Sequence, residues 1–382
     1  MRERRPRVLI TPDSFRDSIS SKEFCDIAKN SILSMNSNAL VDCIPMADGG
    51  EGSIDVFRFI PGYGYKTVIV KNPIGKEVES EYCIHKETET AIIEMAQASG
   101  LQMVPKKLRN PMKTTSYGTG QLILDAINSK MKKIILFIGG SATNDIGVGM
   151  LEALGFKYYN SKNKRVRGTV ENLEKIIKID NTKIAQKLKN ISFIVGCDVL
   201  NPLLGPDGAT YSYGKQKGAD NNQLSKLEKY LKHFSNVAKN YNSINHTNCE
   251  GAGAAGGIGF SAMNFLNAKF EPGFELIAKI IDLKNKIKTN NYDLIITGEG
   301  CIDKQSDKGK LIMRLGEIGK EYSIPVIAFG GIVKEELQSL NLLGITMLKQ
   351  ISPKGCSLSN AILRAPIYLD HALKEEVKRY LT

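Results

Sequence analysis

The sequence predicts an α/β protein, with a parallel sheet covered by helices and a second domain inserted into the first. Three observations carry that prediction. Short β-branched runs alternate with helical patterns along most of the chain. Several of these runs are continuously apolar, as strands buried on both faces are. Residues 66–94 read instead as three short strands joined by turns, the mark of antiparallel pairing inside a β/α alternation. The length agrees, since 382 residues correspond to two or three domains at roughly 150 residues each.

Each element has its own justification. Strands are predicted at 8–11, 41–44, 134–138, 193–196, 294–297, 326–329 and 345–348, all rich in Ile, Val, Leu or Phe. Ser20 and Glu23 have the spacing of a capping box, and Phe24, Ile27, Ala28 and Ile32 follow as one apolar stripe. A second helix is predicted over 145–154, stopped by Gly155. A third covers 310–320, with Leu311, Leu315 and Ile318 on one face. The inserted strands are 66–71, 78–84 and 91–94, the first two joined through Asn72-Pro73-Ile74-Gly75. Residues 157–190, rich in Lys and Asn, and the polar stretch 221–248 are expected at the periphery.

Composition narrows the function classes. Hydrophobic residues are 42% and charged residues 24% of the chain, so disorder is not expected. No run approaches the roughly 18 apolar residues that cross a bilayer, and 8–10 is too short for the apolar region of a signal peptide. Seven scattered cysteines without a CxxC pair indicate neither a zinc site nor a redox pair. A reducing, cytoplasmic setting is expected. The net charge of +12 fits an anionic partner: nucleic acid, an anionic membrane or phosphorylated small molecules. No zinc finger, RRM signature or basic-aromatic cluster speaks for nucleic acid.

The 35 glycines are bunched. Pairs follow predicted strands at Gly49-Gly50, Gly139-Gly140, Gly298-Glu299-Gly300 and Gly330-Gly331. In a parallel sheet such positions lie at the carboxyl ends of strands, where ligands bind. Glycine there allows close backbone approach, and helix N-termini offer N–H groups to phosphate or carboxylate. Gly251 to Gly256 satisfies GxGxxG, but no strand precedes it, so a dinucleotide fingerprint is set aside. As a glycine-rich loop into a helix near Ile258 it remains usable for phosphate. Lys308-Gly309-Lys310 lacks the upstream glycine of a Walker A loop, and no HRD or DFG triplet occurs.

Acids beside these glycines are the chemical candidates: Asp13, Asp48, Glu51, Asp145, Asp198, Glu299 and Asp303. Carboxylates gathered at one edge can hold Mg2+ or take a proton from an alcohol. Cations able to stabilise a transferring phosphoryl group are Arg16, Lys22, Arg109, Lys113, Lys215, Lys217, Lys308 and Lys310. The four histidines lie outside the glycine clusters, which argues against a histidine-based nucleophile.

A set of ordered blocks then resembles a known family. They are Pro12-Asp-Ser-Phe, Pro45-Met-Ala-Asp-Gly-Gly-Glu-Gly52, Glu94-Met-Ala-Gln-Ala-Ser-Gly-Leu101, Arg109-Asn-Pro, Thr115-Ser-Tyr-Gly-Thr-Gly120, Ile138-Gly-Gly-Ser-Ala-Thr-Asn-Asp145, Cys197-Asp-Val, Gly251-Ala-Gly-Ala-Ala-Gly-Gly257 and Ile296-Thr-Gly-Glu-Gly300. Together, over about residues 6 to 375, the chain resembles the class I glycerate kinases. The resemblance implies phosphoryl transfer from ATP to D-glycerate, usually giving 2-phosphoglycerate, with Mg2+. It implies a Rossmann-like, mostly parallel three-layer domain from both chain ends, with the second α/β domain inserted and the site in the cleft between them. The expected boundaries are 1–60 plus 290–382 for the first domain, which also receives the strands near 134–138 and 193–197. The inserted domain falls within 61–289. A monomer or homodimer is expected, without nucleic acid or membrane.

Residue roles follow as expectations. Asp198 first, and Asp48 second, accept the glycerate hydroxyl proton. Asp48, Glu51 or Asp303 holds Mg2+. Asp13, Ser14, Arg16, Gly49, Gly50, Glu51, Arg109, Gly139, Gly140, Ser141, Thr143, Asn144, Gly298, Glu299, Gly300 and Lys310 bind substrate or phosphate. The chain departs from the family's pattern at Arg16-Asp17, where Lys-Gly is usual, and at Gly300-Cys301-Ile302-Asp303-Lys304-Gln305, where Gly-Arg-Ile-Asp-Gly-Gln is usual. Two alternatives stay open, the second motivated by those departures. One is a kinase of a related hydroxy acid; the other is a catalytically impaired sensor that binds glycerate or nucleotide.

Overall fold

The computed structural model describes residues 5–15, 18–302, 311–334 and 344–381. Along the chain come β1 (Arg7–Ile10), α1 (Ser21–Met35) and β2 (Leu40–Cys43), then β3 (Tyr63–Lys71), β4 (Glu77–His85) and β5 (Thr90–Glu94). There follow α2 (Tyr117–Asn128), β6 (Lys133–Phe137), α3 (Val148–Leu154), β7 (Lys157–Tyr159), β8 (Arg165–Val166), β9 (Lys178–Asp180) and β10 (Ser192–Gly196). Then come α4 (Asn221–Asn242), α5 (Ala254–Leu266), β11 (Lys269–Glu271), β12 (Leu294–Ile302), α6 (Leu311–Tyr322), β13 (Val326–Val333), β14 (Met347–Gln350) and α7 (Leu358–Glu376). The chain forms two compact units, Met1–Asp48 with Phe274–Thr382, and Gly49–Gly273.

The first unit holds a parallel sheet in the order β14-β13-β12-β1-β2. Val8, Ile10, Leu294, Ile296, Ile327 and Phe329 pack with Phe24, Ala28 and Ile32 of α1 and Leu369 and Leu373 of α7 in one core. The central strands β1, β12 and β13 are mostly apolar because both faces are covered, while the edge strands β2 and β14 carry Asp42, Lys349 and Gln350. Ser20 and Glu23 form the expected capping box. Strand order reverses between β1 and β12, the kind of switch point at which open α/β sheets bind ligands.

The second unit holds a six-stranded sheet in the order β11-β10-β6-β5-β4-β3. Strands β11, β10, β6 and β5 run parallel, and β4 and β3 add an antiparallel hairpin at the edge. The strands expected near 134–138 and 193–197 in the sheet of the chain ends therefore belong here. They pair with β5 and β11, partners that local sequence does not specify. The boundaries fall at 48/49 and 273/274, where 60 and 290 were expected.

Residues 157–190 fold around a three-stranded antiparallel sheet, β8-β7-β9. The stretch expected to be peripheral at 221–248 is amphipathic. Asp220 caps α4, and Leu224, Leu227, Leu231, Phe234 and Ala238 of that helix lie in the core of the unit.

Candidate functional site

In the first unit the switch point gathers the ends of β1 and β12. The Asp13 N–H donates to the Gly298 carbonyl at 2.9 Å, and the Thr297 hydroxyl donates to the Thr11 carbonyl at 2.9 Å. Asp13 accepts from the Ser14 N–H at 2.6 Å. The Thr11 hydroxyl oxygen is buried without a partner. These contacts place Asp13 and Ser14 at the carboxyl end of β1, as the sequence predicts.

The glycines of β12 and β13 are a correction. Gly298, Glu299 and Gly300 lie inside β12, and Gly330 and Gly331 lie inside β13, where strand-end loops were expected. Their reason is close packing. A Cβ on Gly298 would come within 2.6 Å of the Phe329 carbonyl, and one on Gly331 within 2.5 Å of the Gly300 carbonyl. Glycine inside a strand and glycine ending one read alike in sequence. Arg16, Asp17, Asp303, Lys304, Lys308 and Lys310 lie outside the described residues.

In the second unit the ends of β5, β6 and β10 carry the candidates. After β6 the backbone of Gly139 packs on the 49–50 turn, its N–H donating to the Gly49 carbonyl at 3.2 Å. A Cβ on Gly139 would lie 2.5 Å from the Gly50 Cα, so only glycine permits the approach. The loop 139–145 continues through a buried Ser141, Thr143, Asn144 and Asp145. Asn144 donates from Nδ2 to the Thr210 hydroxyl at 3.1 Å. The Thr143 hydroxyl oxygen and Asn144 Oδ1 are buried and unpaired.

Asp145 anchors this loop. One carboxylate oxygen accepts from the Ser116 N–H and hydroxyl, both at 2.8 Å, and the other from the Gly147 N–H at 3.1 Å. Burial raises its pKa against the pull of those hydrogen bonds. The motif at 251–257 lies beneath. A Cβ on Gly256 would stand 2.1 Å from the Thr143 carbonyl, and the residue has φ +68°. That glycine serves packing against the loop.

Two ionisable groups are buried here: Glu94, which the sequence did not single out, and Lys217, which it offered only as one of eight basic candidates. Glu94, fully buried at the end of β5, accepts from the Ile54 N–H at 3.2 Å and leaves Oε1 unpaired. Burial pushes its carboxyl up to about 7. An acid closing an apolar run at 90–94 was the available signal. Lys217 is 2% exposed and donates to the Ser141 hydroxyl oxygen at 2.8 Å and the Thr143 carbonyl at 2.7 Å. Burial lowers it to about 7 against the attraction of Asp145.

The remaining predicted residues are placed singly. Asp198 is exposed beyond β10, and its Oδ1 accepts from the Gly273 N–H at 2.9 Å. Arg109 donates from Nε to the Val104 carbonyl at 3.3 Å. Glu51 is exposed and accepts from the side-chain amide of Gln102. Asp48 is half-buried at the end of the first unit's N-terminal segment. The donor chemistry fits Mg2+, since Asp48 and Glu51 offer hard carboxylate oxygens. Among the described residues no three His, Cys, Asp or Glu side chains cluster closely enough to hold a metal. The ion would then need phosphate oxygens as further ligands, its usual mode of binding.

Comparison with known proteins decides the family. Residues 8–381 match the glycerate kinase family. The chain belongs to it. It is 37% identical over 367 residues to a glycerate kinase of Halalkalibacterium halodurans, covering 96% of each chain. It is 36% identical over 339 residues to a glycerate 2-kinase of Escherichia coli, covering 89% of this chain and 88% of the other. A crystal structure described as that of a glycerate kinase 2 from Salmonella typhimurium aligns with a TM-score of 0.83 at 32% identity, over 99% of this chain and 98% of that one. Among the described residues no helix is long and apolar enough to cross a membrane.

Proposed function

We propose that this family member transfers the terminal phosphoryl group of ATP to D-glycerate, giving 2-phosphoglycerate and ADP. The match of residues 8–381 to the glycerate kinase family carries this reading. The identity to a glycerate 2-kinase supports the 2-hydroxyl as acceptor. Phosphoryl transfer asks chiefly for positioning and charge neutralisation, and the strand ends offer both.

In the second unit the loop 139–145 presents Gly139, Gly140, Ser141, Thr143 and Asn144 to anionic oxygens of a substrate. Asp145 fixes the far end of that loop through Ser116 and Gly147. Asp198 accepts the glycerate hydroxyl proton, with Asp48 as the second candidate. The Gly273 N–H donates to Asp198 Oδ1 and orients the carboxylate for that role. Arg109 is the cation proposed for the glycerate carboxylate or the migrating phosphoryl, and Lys310 is its alternative. In the first unit Asp13, Ser14 and the 298–300 segment are proposed to line the phosphates, and Arg16, outside the described residues, is proposed as a further phosphate cation. Asp48, Glu51 and Asp303 are the carboxylates proposed to hold Mg2+, which when bound neutralises phosphate charge. A cytoplasmic monomer or homodimer completes the reading.

ADP release measured with D-glycerate, glycolate, lactate and tartronate side by side tests it. Turnover highest on D-glycerate is the expected result. Highest turnover on another acid would reassign the substrate, and binding of glycerate without ADP release would make the protein a sensor.

A further inference from the structure

Lys217 follows the short helix Ala209–Tyr213 and precedes Asp220, the cap of α4. Its loop is pinned. Gly218, at φ +96°, lies where a Cβ would be 2.2 Å from the Arg109 carbonyl. The stem is buried, and Nζ reaches the 139–145 loop from inside the unit, meeting the Ser141 hydroxyl and the Thr143 carbonyl. An ammonium group has three N–H donors and no lone pair. While Lys217 is protonated, the Ser141 oxygen accepts from it and the Ser141 hydrogen points elsewhere. No protein acceptor for that hydrogen is found among the described residues.

Resting on the reading of 139–145 as an anion-receiving loop, we propose that Lys217 is a positioning residue for phosphoryl transfer. It occupies the inner side of Ser141 and Thr143, so that the Ser141 hydroxyl donates outward to an anionic oxygen of ATP or of glycerate. Without the lysine, Ser141 can turn its hydrogen inward to the freed Thr143 carbonyl, and the loop loses a donor. The lysine itself does not touch the substrate.

The test is a double-substitution cycle read as separate KM and kcat values for ATP and for glycerate. Ser141→Ala is expected to raise KM for one of them about tenfold, the scale of one hydrogen bond to a charged group, and the affected substrate identifies the anion. Folded Lys217→Met is expected to raise the same KM by a similar factor. The double variant should be no worse than either single one. If the losses instead multiply, or Lys217→Met leaves both KM values unchanged while Ser141→Ala does not, the proposal is overturned and the loop reading stands. If Ser141→Ala and Thr143→Val both leave KM unchanged, the loop does not receive anions and the proposal falls with that reading. Should Lys217→Met not fold, 15N-lysine-labelled wild-type protein answers the same question. A solvent-protected Lys217 Nζ signal that shifts on adding the substrate supports the proposal, and one that stays unshifted overturns it.

Discussion

Glu94 is a carboxyl group with no exposure and one oxygen unpaired, held near a pKa of about 7 by burial. Between an ordinary unfolded value and about 7, the folded protein keeps a proton that the unfolded chain has lost. The stabilisation is full below the unfolded pKa and disappears as pH rises through about 7, at about 1.4 kcal/mol per pH unit. Glu94→Gln removes the titration. In urea melts the variant should gain on the wild type by about 1–3 kcal/mol between pH 5 and 7.5, whereas parallel pH profiles would contradict the assignment. Lys217 works in the opposite window. Its lowered pKa adds stability above the unfolded lysine value and loses it as pH falls through about 7.

Asp198 carries a different residue-scale prediction. Asn at 198 keeps an acceptor for the Gly273 N–H and removes only the base. Asp198→Asn is expected to lower kcat about tenfold or more with ATP affinity retained, measured by ADP release and calorimetry. Unchanged turnover would pass the role to Asp48. The sequence named Asp198 because an acid after a strand is a local pattern. It could not separate Lys217 from the other basic residues, because burial depends on a chain segment 74 residues away.

At the scale of elements, the strands were legible because continuous apolar runs report burial on both faces. The capping box of α1 was legible because it is local. Sheet membership was not, as the case of β6 and β10 illustrates: both read as buried strands, and their partners come from distant sequence. Glycine clusters follow strands at 49–50 and 139–140, as expected, but at 298–300 and 330–331 they lie inside strands, where they allow strands to pack closely. Gly256 is the sharpest element-scale test. Its positive φ and its approach to the Thr143 carbonyl exclude a side chain. Gly256→Ala should cost about 1–3 kcal/mol in thermal or urea unfolding and raise KM with the same sense as Ser141→Ala. A variant as stable and active as wild type would show that the α5 turn does not shape the loop.

At the scale of the whole molecule, the 49–273 segment is continuous in sequence and contains its own six-stranded sheet and core. Expressed alone, it is expected to melt cooperatively with α/β circular dichroism; a featureless melt would contradict its independence. The other unit is built from both chain ends. The surplus of +12 needs no nucleic acid in this account. Part of it serves anionic substrates, and part lies in Lys-rich surface such as 157–190, folded around a small sheet of its own. The most direct test of the central claim is phosphorus NMR of purified protein with ATP, Mg2+ and D-glycerate. ADP and the resonance of 2-phosphoglycerate should appear together, and ATP left intact, or phosphate found on the 3-hydroxyl, would contradict the proposed reaction.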